Sequence, residues 1–449
     1  MLKASQFFRN SSGNAFFQKN PSIPTSIIAK RNQEVSRLGF GSYRINWSDE
    51  GHQRAIQHAI QSGINVIDSS AHFEAGESEE VIGKVLERMF KNGSVSREAG
   101  YVEATDVTSL DNSFAKINNK SAHSISPDFL RDQINLSLSR LQLKKLDIFM
   151  INNPERMLRA RNRQYSIDDL YRDMEQSFHY LDTESVITNC NWTGRIGGYG
   201  VCSNTMAIPT ASDHISLPAI LEKLSKPSRQ NFVAIQVPFN LFERDVIRKG
   251  VGRQCSLAQY AEVKELDARL DPWLTEEIQR TIQLSENYFA AKYYLRKQVN
   301  PNVRNDLESL SSLIETTEIT EEKGRDRLRD WIIKYHVEIQ EISKLIISYA
   351  YGNLININDE LDSILSIISP SLHLDDDQSP SFHGEQLPHS PLSIKALRII
   401  LANSSVGCTL VGMRSMDYVN DSILSLKLSD GDLIAESLDE IYNCPSLQQ

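Results

Sequence analysis

The sequence predicts an α/β chain organised as a TIM-type (β/α)8 barrel, and three observations predict it. Short apolar runs alternate with amphipathic stretches, the pattern of βα units around a parallel sheet. The runs recur at intervals of roughly 35 residues, close to the size of one barrel unit. At 449 residues the chain is long enough for one barrel carrying an insertion, and equally for two domains.

Taken in order, strands are expected at Leu38–Tyr43, Val66–Ser69, Tyr101–Val107, Asp147–Ile151, Tyr199–Ser203, Ala234–Pro238 and Thr409–Val411. Helical periodicity fills the intervals at Gln53–Ser62, Ser78–Phe90, Pro127–Leu141, Ile167–Leu181 and Leu217–Leu224. The strand count stops at seven. From Phe242 onward the pattern reads as helices at Leu257–Leu270, Thr275–Lys297 and Thr320–Tyr349, and Asp375–His389 reads as a loop. The short run Leu345–Ala350 fits a strand and a helix end equally. Residues 34–245 are therefore expected to hold six βα units and 246–390 a helical insertion or a remodelled seventh unit. Residues 391–449 follow as the last unit and tail.

The first 33 residues differ in composition. They contain no Asp or Glu, while Lys3, Arg9, Lys19, Lys30 and Arg31 are basic and Ser and Asn are frequent. Basic, Ser-rich and acid-free describes a mitochondrial transit peptide, which sets the expected location as the matrix; the alternative is a disordered tail before the first strand. Taken whole, the chain is ordinary for a globular protein, 40% hydrophobic and 24% charged. A net charge of −10 speaks against non-specific nucleic-acid binding. No apolar run is long enough to span a membrane as a helix. The five cysteines are scattered without a CxxC pair, so neither a zinc site nor a disulfide framework is expected.

The stretch Gly63–Gly83 contains a buried-strand pattern ending in Asp68, then His72 and Phe73, then Gly76-Glu77-Ser78-Glu79 opening a helix. It resembles the signature of the aldo-keto reductase family. Leu38-Gly39-Phe40-Gly41 resembles that family's first strand, and Asp147–Glu155 its fourth. Gly194–Asn204 is similar to the fifth, Gln236–Asn240 to the sixth and Val411–Val419 to the last unit. The motifs occur in the family's order, each at a strand end.

The resemblance implies a catalytic tetrad in which Tyr donates a proton, Lys and Asp tune it, and His orients the carbonyl. Asp68 persists. Phe73 stands for the Tyr and has no proton to give; Asp106 (or Thr105) stands where Lys is expected, with Lys116 beyond the strand; Asn152 stands for the His, and does not titrate. His72 and an Asp68–Asp106 pair are the candidate replacements for acid–base work. For the cofactor, the resemblance implies that Ser203, Asn204 and Gln236 hold a nicotinamide carboxamide, that Phe239 stacks on the ring, and that Arg414 and Ser415 pair a 2′-phosphate. Ser203 and Asn204 have an alternative use as caps of the following turn. No metal site is expected.

The expected function is that of a family member inactive in ordinary carbonyl reduction, a mitochondrial protein-binding scaffold or nucleotide sensor. Its partner would be a protein bound through the helical insertion, and NADP would be its cofactor if it keeps one. The alternative is an NADP-dependent oxidoreductase of aldehydes, ketones or sugars with rebuilt acid–base residues.

Overall fold

The computed structural model describes residues 13–271 and 392–426 apart from short internal stretches, the longest being 94–100, 106–113 and 248–255, and little of what lies between. Packing divides the chain into two units, Met1–Trp273 with Ser369–Asp439, and Leu274–Ile368 with Glu440–Gln449. The barrel lies in the first. The second, with the run near Leu345 and most of the expected insertion 246–390, lies almost wholly outside the described residues.

The fold begins before residue 34. Gly13–Lys19 forms a short helix whose Phe16 and Phe17 are buried. Strands β1 (Thr25–Ile28) and β2 (Gln33–Ser36) then pair as an antiparallel hairpin. Ile28 and Val35 join a core cluster with Val66, Ile148, Met150, Val233 and Leu410, all fully or nearly fully buried. The hairpin loop is pinned by its cations: Lys30 Nζ donates to the carbonyls of Arg229 and Phe232, and Arg31 to those of Gly197 and Gln230. Those carbonyls lie where strands begin, so the hairpin closes the amino-terminal end of the barrel. The expected leader of residues 1–33 therefore overlaps a folded element. Two of its five basic side chains, Lys30 and Arg31, serve as anchors to backbone carbonyls near the strand starts.

The barrel strands are β3 (Leu38–Gly41), β4 (Val66–Ser70) and β5 (Tyr101–Thr105). A small hairpin follows, β6 (Ala115–Asn118) and β7 (Ser121–His123). Next come β8 (Ile148–Asn152), β9 (Tyr199–Cys202), β10 (Phe232–Pro238), β11 (Asp267–Asp271) and β12 (Cys408–Gly412). Each barrel strand pairs in parallel with the next in the chain, and β12 pairs with β3, so the eight strands close a ring. The strand expected to be missing is β11. It overlaps the end of the stretch expected to be helical over Leu257–Leu270, where the helix covers only Leu257–Val263. Its sequence, Asp-Ala-Arg-Leu-Asp, lacks the continuous apolar run typical of a strand buried on both faces.

Outer helices start where the sequence supplies caps. Ser126 accepts from the N–H of Phe129, with Pro127 at the first helical position of Pro127–Leu141. Ser166 and Asp169 form a reciprocal capping box at the start of Ile167–Glu184. No helix among the described residues is long and apolar enough to cross a membrane.

Gly200 lets two barrel strands approach closely. A Cβ built there would lie 2.2 Å from the Ala234 carbonyl oxygen and 2.8 Å from Met150 Sδ. Backbone cannot give way as a side-chain end can. Gly200→Ala is expected to destabilise the protein by about 3 kcal/mol, read as a lower denaturant midpoint at unchanged slope.

Candidate functional site

The site lies at the carboxyl ends of the barrel strands, opposite the hairpin. Asp68 sits in β4, 5% exposed, across from Gly41 of β3. The serine of the Gly-x-Ser-Glu motif ties this side of the mouth together: Ser78 Oγ donates to the Ser42 hydroxyl at 2.7 Å and lies 3.3 Å from the Ser69 hydroxyl. Glu79 is fully buried against Arg140 at 3.4 Å; burial raises its pKa, and bonds from Ser137 and Arg140 oppose that shift. Glu79 is thus part of the packing between two outer helices.

Phe73 occupies the loop after β4. Its half-buried ring meets Tyr43 edge to face at 5.2 Å, and the Arg44 guanidinium lies 5.7 Å from the centre of the Tyr43 ring. The loop is held in a costly backbone shape, with Glu74 at φ 49° and Ala75 at φ 57°. His72, the candidate replacement acid, is exposed on this loop. Lys116 is also exposed, on β6 and not in the barrel. Thr105 ends β5, and Asp106 lies outside the described residues. Asn152 closes β8 at the mouth, in register with Cys202 of β9.

On the other side, the ends of β8, β9 and β10 are laced in a row. The N–H of Asn153 donates to the Cys202 carbonyl at 2.7 Å, that of Ser203 to the Gln236 carbonyl at 2.9 Å, and that of Asn204 to Glu155 Oε1 at 2.8 Å. Ser203 is fully buried, and its hydroxyl accepts from the N–H groups of Thr205 and Met206, the turn-capping role weighed above. Gln236 is 4% exposed, and its side-chain oxygen has no hydrogen-bond partner among the described residues. Such an atom costs free energy unless something donates to it. Phe239, expected to stack on the nicotinamide ring, is fully buried.

At the last unit, Ser415 accepts through Oγ from the N–H of Tyr418 and through its carbonyl from that of Val419, so it caps the helix Met416–Leu426. Arg414, partly exposed, precedes it. A guanidinium beside the start of an 11-residue helix suits a phosphate.

Two titratable residues at this end were not singled out from the sequence. Glu155 follows the strand β8; it is 2% exposed, and burial pushes its carboxyl up to about 7. His123 ends β7, is 2% exposed, and burial followed by the nearby Arg156 charge pushes it down to about 3. A Pro-Glu pair directly after a strand that ends at the mouth was the available signal for Glu155. For His123 there was none.

A closed ring of eight parallel strands with its polar side chains gathered at the carboxyl ends defines the class: a barrel of the kind that binds ligands at that face. Residues 37–257, just under half of the chain, match the sequence model of the aldo/keto reductase family, so this segment is an aldo/keto reductase domain. Aldo-keto reductase YhdN of Bacillus subtilis is 26% identical over 150 residues, 32% of this chain and 42% of that protein. Aldo-keto reductase yakc [NADP(+)] of Schizosaccharomyces pombe is 27% identical over 138 residues, 29% of this chain and 37% of that one. The chain thus spans well under half the length of these curated relatives. The solved holo form of an aldo-keto reductase from Bacillus halodurans aligns over 93% of this chain and 95% of its own, with a TM-score of 0.50 at 15% identity, a likeness of fold.

Proposed function

We propose that this chain is an aldo-keto reductase-family protein that binds a nicotinamide nucleotide, NADP in the first instance, and does not carry out ordinary carbonyl reduction. The observation that carries the reading is the buried, unsatisfied side-chain oxygen of Gln236, beside Ser203 and Asn204 at the strand ends. A carboxamide N–H2 is the donor that would satisfy it, and Arg414 with Ser415 supplies phosphate-binding chemistry at the last unit. The name of one relative includes NADP(+), which fits the same nucleotide.

When bound, such a nucleotide supplies hydride chemistry. The family's acid position supplies no matching proton. Phe73 holds the acid position, and the exposed His72 has no enclosed position from which to serve developing charge. The reading is therefore a nucleotide sensor or scaffold. A protein partner for segment 246–390 belongs to the same proposal, supported by the aromatic residues Tyr288, Phe289, Tyr293 and Tyr294 in that sequence. So does import into the matrix, supported by the basic, acid-free start of the chain. Any leader would then end before Thr25, where the hairpin starts.

Calorimetric titration of two variants tests the binding site. Arg414→Ala is expected to weaken NADPH about tenfold to hundredfold and NADH little, the cost of one charge-assisted phosphate contact. Gln236→Ala should weaken both alike. Equal affinities for all three proteins would place the nucleotide elsewhere and defeat the assignment.

A further inference from the structure

Glu155 reaches the mouth by an unusual route. Asn153 turns the chain out of β8 in the left-handed region, at φ 46°, and Pro154 opens a short helical turn, Pro154–Arg159. That turn carries the carboxyl under the ends of β8 and β9. There Oε1 accepts the N–H of Asn204, the residue on which the expected carboxamide contact depends, at 2.8 Å. Oε2 is buried with no hydrogen-bond partner among the described residues. A carboxyl with one oxygen engaged and the other enclosed is a place where a proton can be held.

We propose that Glu155 is a proton-linked positioning residue: its ionised form fixes the Ser203–Asn204 turn for the nicotinamide end of the nucleotide, and its protonated form loosens it. The inference rests on the nucleotide reading above. An ionised carboxylate accepts a shorter and stronger bond from Asn204 than a neutral acid does. It also favours the oxidised, cationic nicotinamide over the neutral reduced ring. Burial raises the carboxyl to about 7, opposed first by a bond from its own backbone N–H and then by those from Asn204 and Ser203, so both forms are populated near neutrality.

The neighbouring charges do not compete for that titration. Asp213, the carboxylate acting on Glu155, is ion-paired with Arg159 at 2.7 Å. Arg156, from the same turn, faces His123, which is held neutral down to about 3.

The test compares two ligands on the full-length chain: NADP+ and 2′-phospho-ADP-ribose, which lacks the nicotinamide but carries the same titrating 2′-phosphate. The ratio of their affinities isolates the nicotinamide end. From about pH 8 to about pH 6 the ratio is expected to fall about tenfold against NADP+, as the competent ionised fraction falls. Glu155→Gln keeps an acceptor for Asn204 and cannot ionise, so its ratio should be flat. Independently of any ligand, difference infrared spectroscopy should show a protonated-carboxyl band that grows over the same range and is missing in Glu155→Gln. A flat ratio in the unsubstituted protein, a ratio that still varies in Glu155→Gln, or absence of the band overturns the proposal. Binding of the fragment with a flat NADP+ ratio defeats this inference alone. Failure of both ligands to bind at any pH defeats the nucleotide reading, and this one with it.

Discussion

A chain that starts at Glu34 is expected not to fold. Such a truncation follows the composition of the amino terminus, yet it removes β1 and the loop that anchors it. It strips away Phe16, Phe17, Ile23 and Ile28, all at most 9% exposed. Each buried apolar side chain of this size contributes about 1.5–3 kcal/mol, so their loss approaches the whole stability of a typical domain. The hydrogen bonds of Lys30 and Arg31 to carbonyls at the strand starts go with them. A chain starting at Ser22 keeps the hairpin and loses only the preceding helix. It should fold, with a lower melting temperature. Circular dichroism melts of the two truncations beside the full chain make the comparison. A cooperative melt of the Glu34 form near that of the full chain would show that the hairpin is dispensable.

The second large effect is on the pH dependence of stability, where Glu155 and His123 act in opposite directions. The folded carboxyl of Glu155 titrates at about 7 against an ordinary 4.5, so the folded state binds more protons between those values. Stability is lost as pH rises through that window, by about 3 kcal/mol for the full shift. The folded imidazole of His123 titrates at about 3 against an ordinary 6.5, so the unfolded state binds more protons there. Stability is lost as pH falls through that window, by about 5 kcal/mol. Where the windows overlap, the two slopes offset each other and these groups leave a plateau. Glu155→Gln is expected to raise stability above about pH 7 and to expose an uncompensated slope below about pH 6.5. His123→Phe should remove the acid-side loss, and urea titrations across the range read both. Parallel curves for both variants and the unsubstituted protein would contradict these assignments.

Glu155 thus favours folding least in the ionised form proposed to grip the nucleotide. A buried carboxyl that weakens the fold at the pH where it serves a site is the balance expected of a functional position.

Much of the barrel could be read directly because parallel strands buried on both faces leave apolar runs in the sequence. Val66–Ser70, Ile148–Asn152 and Phe232–Pro238 are almost entirely buried, and each was expected within a residue or two. Asp267–Asp271 was missed for the same physical reason, since its charged residues break the run. Short of an apolar run, the neighbouring helical period dominates the reading. The hairpin was hidden by composition: its cations bind backbone carbonyls, an arrangement that local sequence does not reveal. At the site, Ser203, Asn204 and Gln236 were readable because their motif names the strand ends that carry them. Glu155 was not singled out, since whether a side chain is enclosed depends on packing between elements distant in the chain.

The most direct measurement is a fluorescence titration of the full-length chain with NADPH, followed by addition of aldehydes, ketones and sugars to the saturated complex. Saturable binding is expected, with reduced-nicotinamide absorbance that stays constant after each addition. No saturation at millimolar nucleotide would contradict the binding site built on Gln236 and Arg414. Oxidation of the bound nucleotide at about one turnover per second or faster, the range of ordinary enzymes, would contradict the loss of chemistry assigned to Phe73.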